Sequence, residues 1–226
     1  EMKLLKLEKE DSNTQEDSEK ITVSLLFLLC EGSHGWSNET RQQAYMEVCV
    51  QLAQAAVKDG GAPYGAVIVD PEKNEIIVQG NNHASSNPIW HGEMDALNKL
   101  AGMVEKEGLT VYQVAPKLEL YTSAEPCSMC MSALAWSGIG RVYYGTSIPF
   151  IASQGLNQIS IRAKDVIKST PFEEIGLVGG VLNETTNKLY TRPVVAGHRQ
   201  TVHHHHYHHH HEPHGHSHPH GHFDPH

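Results

Sequence analysis

The sequence predicts an α/β sandwich, and three observations carry that prediction. β-branched runs and stretches with helical apolar spacing alternate along the chain, which favours a sheet with partly parallel pairing and helices packed on it. Gly, Pro, Asn and Asp punctuate the changes between them. The 226 residues are 39% hydrophobic and 19% charged, enough apolar material for a core and against wholesale disorder.

The elements follow in order. Asn38 or Thr40 caps a helix through Lys58, with Ala44, Val48, Leu52 and Ala55 as its apolar stripe and Gly60-Gly61 as its stop. Tyr64–Val69 and Ile76–Val78 are strands joined by the turn residues 70–74, an antiparallel hairpin. Glu93–Glu105 is a second helix, Leu118–Thr122 a strand, Cys127–Ser137 a third helix and Arg141–Gly145 a strand. A fourth helix includes Ile161–Lys168, Ile175–Leu182 is a strand, and a short helix starts at Asn183.

Three segments are expected: residues 1–35, a folded domain over 36–197, and residues 198–226. Residues 1–20 carry seven acids and four bases with little to bury, and read as disordered. Ile21–Cys30 is a ten-residue apolar run followed by Ser33-His34-Gly35, a signal-like pattern with cleavage before Trp36. The acid-rich stretch ahead of it does not fit a signal peptide, so secretory and cytoplasmic locations both stay open. No run reaches the roughly 18 apolar residues needed to span a membrane. Of 18 histidines, 14 lie within residues 203–226, among Pro and Gly. That tract reads as a disordered tail able to chelate extra divalent metal. The net charge is −9 overall and −3 over residues 36–200, where 16 acids meet 13 bases. That balance argues against a general nucleic-acid binder.

The chemistry centres on His91-Gly92-Glu93 and Pro126-Cys127-Ser128-Met129-Cys130. Either motif alone is weak, and a C-x-x-C pair by itself also suits a redox centre. Together, each at the start of a predicted helix, they point to one shared zinc ion. Cysteines three apart project from one helical turn, and the helix N-terminus favours their thiolates. Pro126 suits a helix start. Three ligands, His91, Cys127 and Cys130, leave a tetrahedral position open, as catalytic zinc requires. A structural zinc would need a fourth, and neither Cys49 nor His83 has suitable spacing. Zinc brings a bound water toward a pKa of about 7, and Glu93 stands two residues from His91 to move the protons.

These residues resemble the zinc-dependent cytidine deaminase-like superfamily, whose signature is H-x-E followed by P-C-x-x-C. The likeness runs from about Thr40 to Leu189. It includes Pro63-Tyr64-Gly65-Ala66-Val67-Ile68-Val69, Leu120-Tyr121-Thr122-Ser123-Ala124-Glu125-Pro126, Arg141-Val142-Tyr143-Tyr144-Gly145 and Gly180-Val181-Leu182. The resemblance implies a three-layer α-β-α sandwich on a five-stranded mixed sheet, a homodimer or larger assembly, and hydrolytic deamination of an amino-substituted base. It implies zinc on His91, Cys127 and Cys130, with Glu93 as proton shuttle. It also places a substrate-contacting asparagine at the end of the second strand, where Asn81 and Asn82 of Gly80-Asn81-Asn82 both qualify and a turn role competes. Tyr64 and Trp90 are candidate aromatic walls for a planar base. Ala124 departs from the usual cysteine, Trp90 from a small residue, and Ser147–Asn157 matches no specificity motif.

The Glu125-Pro126-Cys127-x-Met129-Cys130 run is nearer the guanine and tRNA-adenosine branches than cytosine deaminase. Low basic charge disfavours tRNA. The expected substrate is therefore a free base or nucleoside, guanine first and cytosine or a cytidine-type pyrimidine next. The alternatives are a tRNA adenosine deaminase and a non-enzymatic metal-storage protein acting through its tail.

Overall fold

A computed structural model describes residues 37–172 and 175–191 of the chain. The apolar run at 21–30, the end of the expected domain and the histidine tract lie outside the described residues.

The chain opens with α1 (Asn38–Lys58), then β1 (Gly65–Asp70), β2 (Glu75–Asn81), α2 (Gly92–Lys106) and the one-turn α3 (Val111–Val114). It continues with β3 (Glu119–Ala124), α4 (Ser128–Ser137), β4 (Arg141–Thr146), α5 (Ile148–Ser153), α6 (Ala163–Lys168), β5 (Gly176–Gly179) and α7 (Asn183–Thr186). The sheet order is β2-β1-β3-β4-β5. β1 runs antiparallel to β2 and β3, whereas β3-β4 and β4-β5 are parallel. This is the five-stranded mixed sheet of the expected fold.

Alternation along β1 creates the layers. Ile68 faces one core with Leu97, Leu100, Leu134 and Val142, contributed partly by α2 and α4. Val67 and Val69 face the other, with Met46, Cys49 and Leu52 of α1. The strands are thus covered on both faces, as near-continuous apolar runs require. The buried face of α1 includes Tyr45, Met46, Cys49 and Ala53, wider than the expected stripe, in which Ala44 and Ala55 are only half-buried.

Several local expectations shift. Ser37 caps α1, its hydroxyl accepting from the Thr40 amide at 3.2 Å, in place of Asn38 or Thr40. Pro126 precedes the cap of α4 and lies outside its first turn. Ile161 lies outside α6, and β5 spans only four residues. α3 and α5 interrupt segments without periodicity, α5 under a Ser147 cap with Pro149 in its first turn. No described helix is long and apolar enough to cross a membrane.

One close approach sets the site. A Cβ on Gly80 would sit 2.1 Å from the Gly92 carbonyl and 2.8 Å from the Ala96 nitrogen. Only glycine lets β2 press against the start of α2 there. That contact fixes the helix end bearing His91 beside the sheet.

Candidate metal centre

Two helix N-termini meet at the site. His91 is the N-cap residue of α2 and Cys127 that of α4, both with extended backbone. Cys130 follows on the first turn of α4. The His91 Nδ1 lies 3.7 Å from the Cys127 Sγ and 3.5 Å from the Cys130 Sγ. Zinc at its usual distances from one nitrogen and one sulfur, with tetrahedral angles, separates them by about 3.6 Å. Donor set and spacing therefore fit zinc, and all three donor atoms lie within 4.8 Å of one another. Among the described residues this is the one such group of donors. Cys49 is fully buried on the inner face of α1, and His83 stands against Asp95, so neither completes a structural site.

The electrostatics suit a cation. The Cys130 thiol's hydrogen bond pulls the Cys127 thiol down to about 4, against burial and with help from His91. Cys130 moves the opposite way, well above the ordinary thiol range, through that same bond and burial. The Cys127 hydrogen bond raises His91, with burial opposing. Without metal, the Cys127 thiolate thus sits beside a Cys130 thiol and a His91 ring that both hold protons more tightly than usual. Metal binding must expel those protons.

Glu93, on the first turn of α2, is 4% exposed. Burial, then the neighbouring Cys127 charge, holds its carboxyl above the ordinary carboxylate range. The Thr122 hydroxyl on β3 donates to its Oε1 at 3.3 Å. Tyr64 lies parallel to the His91 ring, 6° apart at 6.5 Å between centroids, and accepts from Gln158 Nε2 at 3.0 Å. The Tyr64 ring also meets Tyr190, tilted at 5.4 Å between centroids, and the Tyr190 hydroxyl bonds Ser123 and the Pro63 carbonyl.

The asparagines separate. Asn82 Oδ1 accepts from the Ala84 amide and makes a turn. Asn81 Oδ1 is buried without a hydrogen-bond partner among the described residues. Trp90 contacts Asp95 and the His83 ring, both outside the metal set.

Sequence reasoning missed Thr122, Asp95, Gln158 and the Glu125–Arg162 pair. Glu125 is buried and accepts from Arg162 Nε at 2.8 and 2.9 Å, from the Ala163 amide and from the Ile148 amide. It ties the end of β3, just before the cysteines, to the starts of α5 and α6. Glu125→Ala should cost about 2–5 kcal/mol, because it orphans two buried amides and a guanidinium. Thermal denaturation checks this, and a loss under about 1 kcal/mol would contradict the anchoring role.

A mixed sheet that brings an imidazole, two thiols and a buried carboxyl together at two helix starts forms a centre able to hold zinc. Residues 39–146 match the family model of the cytidine and deoxycytidylate deaminase zinc-binding region. The chain is 32% identical over 140 residues to a probable cytosine deaminase of Schizosaccharomyces pombe, covering 59% of this chain and 82% of that protein. It is 34% identical over 135 residues to a guanine deaminase of Bacillus subtilis, covering 58% and 80%. It is 34% identical over 104 residues to a tRNA-specific adenosine deaminase of Rickettsia felis, covering 45% and 68%. In fold it is similar to the guanine deaminase of Nitrosomonas europaea, at a TM-score of 0.57 and 22% identity over 76% of this chain and 92% of that one. The chain belongs to the cytidine and deoxycytidylate deaminase family. It is a zinc-binding deaminase of that family, whose members here act on nucleobases or on tRNA.

Proposed function

We propose that this chain hydrolyses the exocyclic amine of a free nucleobase or nucleoside, guanine first and cytosine or cytidine next, releasing ammonia. The observation that carries the chemistry is His91 Nδ1 at 3.5 and 3.7 Å from two cysteine sulfurs, with buried Glu93 two residues away. The net charge of −3 over residues 36–200 supports a small substrate over tRNA.

His91, Cys127 and Cys130 hold the ion. Bound zinc supplies a Lewis acid that makes water a nucleophile near neutral pH. Glu93 accepts one proton of the attacking water and passes it to the ring nitrogen, then takes the second from the hydroxyl added to the base and passes it to the departing amine. Burial suits it to this work by making its carboxylate basic, and Thr122 holds one of its oxygens. Tyr64 stacks along the base, fixed by Gln158 and Tyr190. Asn81 offers its unpartnered oxygen to a base or ribose donor. A buried acceptor left unpaired costs about 1–3 kcal/mol, so a substrate donor there gains affinity. Asn82 serves the turn. The catalytic domain on this reading is residues 36–197, working as a homodimer.

The test is ammonia release by the zinc-loaded full chain against guanine, cytosine, adenine and their nucleosides, beside inosine formation in tRNA. Turnover of guanine, with cytosine second, is expected. Inosine in tRNA with every free base silent would overturn the substrate assignment. Deleting residues 203–226 should leave turnover and one zinc per chain. Loss of all metal binding on that deletion would favour storage.

A further inference from the structure

Asp95 lies one turn beyond His91 on α2 and is 3% exposed. Its Oδ2 accepts from the backbone amide of Asn81 at 3.0 Å, and its Oδ1 from the indole Nε1 of Trp90 at 3.1 Å. Lys99 Nζ lies 2.8 Å from Oδ2, and the His83 Nε2 lies 3.7 Å from it. One carboxylate therefore grips both ends of the segment joining β2 to the ligand His91. Asn81 is the last residue of β2, and Trp90 immediately precedes His91.

The segment between closes on itself. The His83 amide bonds the Trp90 carbonyl at 2.9 Å, Asn87 bonds back to His83, and the Trp90 amide bonds the Asn87 carbonyl. Trp90 covers the His83 ring at 5.0 Å. The result is a compact loop tied at its neck. Burying a carboxylate is costly unless charge and donors surround it. Two neutral donors, a lysine and the first turn of α2 meet that cost here. A residue needed only to fill space would be apolar.

We propose that Asp95 is a positioning residue that sets the loop 81–90 over the metal centre, with Trp90 as its lever. It acts in two ways. It fixes the backbone from which Asn81 presents its free oxygen, and it holds the Trp90 indole at the far end of the loop. The first role rests on the substrate reading above, in which Asn81 contacts the base. The reaction chemistry is unaffected, so the expected signature is a change in binding. Trp90 on this view is part of the clamp, which explains why its contacts lie with Asp95 and His83.

The experiment compares the zinc-loaded full chain with Asp95→Asn, Trp90→Phe and the double variant. Asp95→Asn keeps the shape but points a donor at existing donors, whereas Trp90→Phe keeps a ring and deletes only the N–H. Amide hydrogen exchange across residues 81–91 should speed up by at least about tenfold in Asp95→Asn. With guanine as probe, KM should rise about 5- to 30-fold while kcat stays within about threefold, the pattern of lost ground-state binding. Zinc should remain at one per chain. The double variant should be no worse than Asp95→Asn, since both cut one linkage. Unchanged exchange, an unchanged KM, or loss of zinc in a folded Asp95→Asn chain would each overturn the proposal. If Asp95→Asn fails to fold, Trp90→Phe decides by the same readouts. If the wild type leaves guanine intact but hydrolyses another base, the guanine assignment alone fails. The exchange and KM comparisons then decide the clamp with that base.

Discussion

Glu93→Gln should keep its zinc and lose about 10²–10⁴-fold in kcat, the usual worth of a positioned acid–base group. The substitution is nearly isosteric. Thr122 can still donate to the amide oxygen of the new side chain, as it now does to Oε1 at 3.3 Å. The donors proposed for the metal are His91, Cys127 and Cys130, none of them altered here, so ion content should stay at one per chain. The amide accepts no proton, which is the sole function removed. Stability should not fall with activity. Burial raises the Glu93 carboxyl above its ordinary value, so in the metal-free fold its ionised form is disfavoured relative to the unfolded chain. Such a group is harmless at low pH and destabilising once pH rises past its unfolded value. At neutral pH the metal-free glutamine variant should therefore melt no lower than the metal-free wild type. Ammonia release, metal analysis and thermal melting check the three parts. A near-wild-type rate would remove Glu93 from the mechanism.

The centre was legible because its residues obey local rules. Two cysteines at i and i+3 and a histidine two residues from a glutamate are short-range patterns, and His91 and Cys127 both stand at the N-cap positions of their helices. The sheet was legible because β1 is apolar on both faces and the 70–74 turn carries Asp, Pro and Asn. What escaped depends on distant pairing. Arg162 meets Glu125 across 37 positions and Tyr190 reaches Pro63 across 127. No periodicity announces either. Asp95 was hidden for another reason. An acid in a helix first turn with a lysine four residues later is the ordinary look of a solvated helix face. Only the fold shows it buried and gripping Trp90. α3 and α5 escaped because four and six residues are too few for a period to emerge.

Cys127→Ala should abolish tight zinc binding and lower stability together. Cys127 supplies the thiolate formed most easily, its thiol held down to about 4. Without it, one imidazole and one thiol remain, and that thiol lies well above the ordinary range while Cys127 is present. Two protein ligands cannot reproduce a three-ligand site. Because the ion binds the folded chain, its binding energy is folding energy. A free zinc concentration 1,000 times Kd stabilises by about 4.1 kcal/mol, and the variant forfeits that share. The pH dependence in the wild type follows from the same groups. Cys127 is already a thiolate above about pH 4, so it releases little proton at neutral pH. Cys130 and His91 are both shifted upward, so protons on them compete with the metal and leave to solvent when it binds. Zinc occupancy in a fixed metal buffer should accordingly rise with pH and fall on acidification, with proton release accompanying uptake. Cys49→Ala is the control. Its thiol is buried on the inner face of α1, outside the donor set, so it should disturb packing while leaving one zinc per chain. Full zinc in Cys127→Ala, or loss of zinc in a folded Cys49→Ala protein, would contradict the assignment of the ligands.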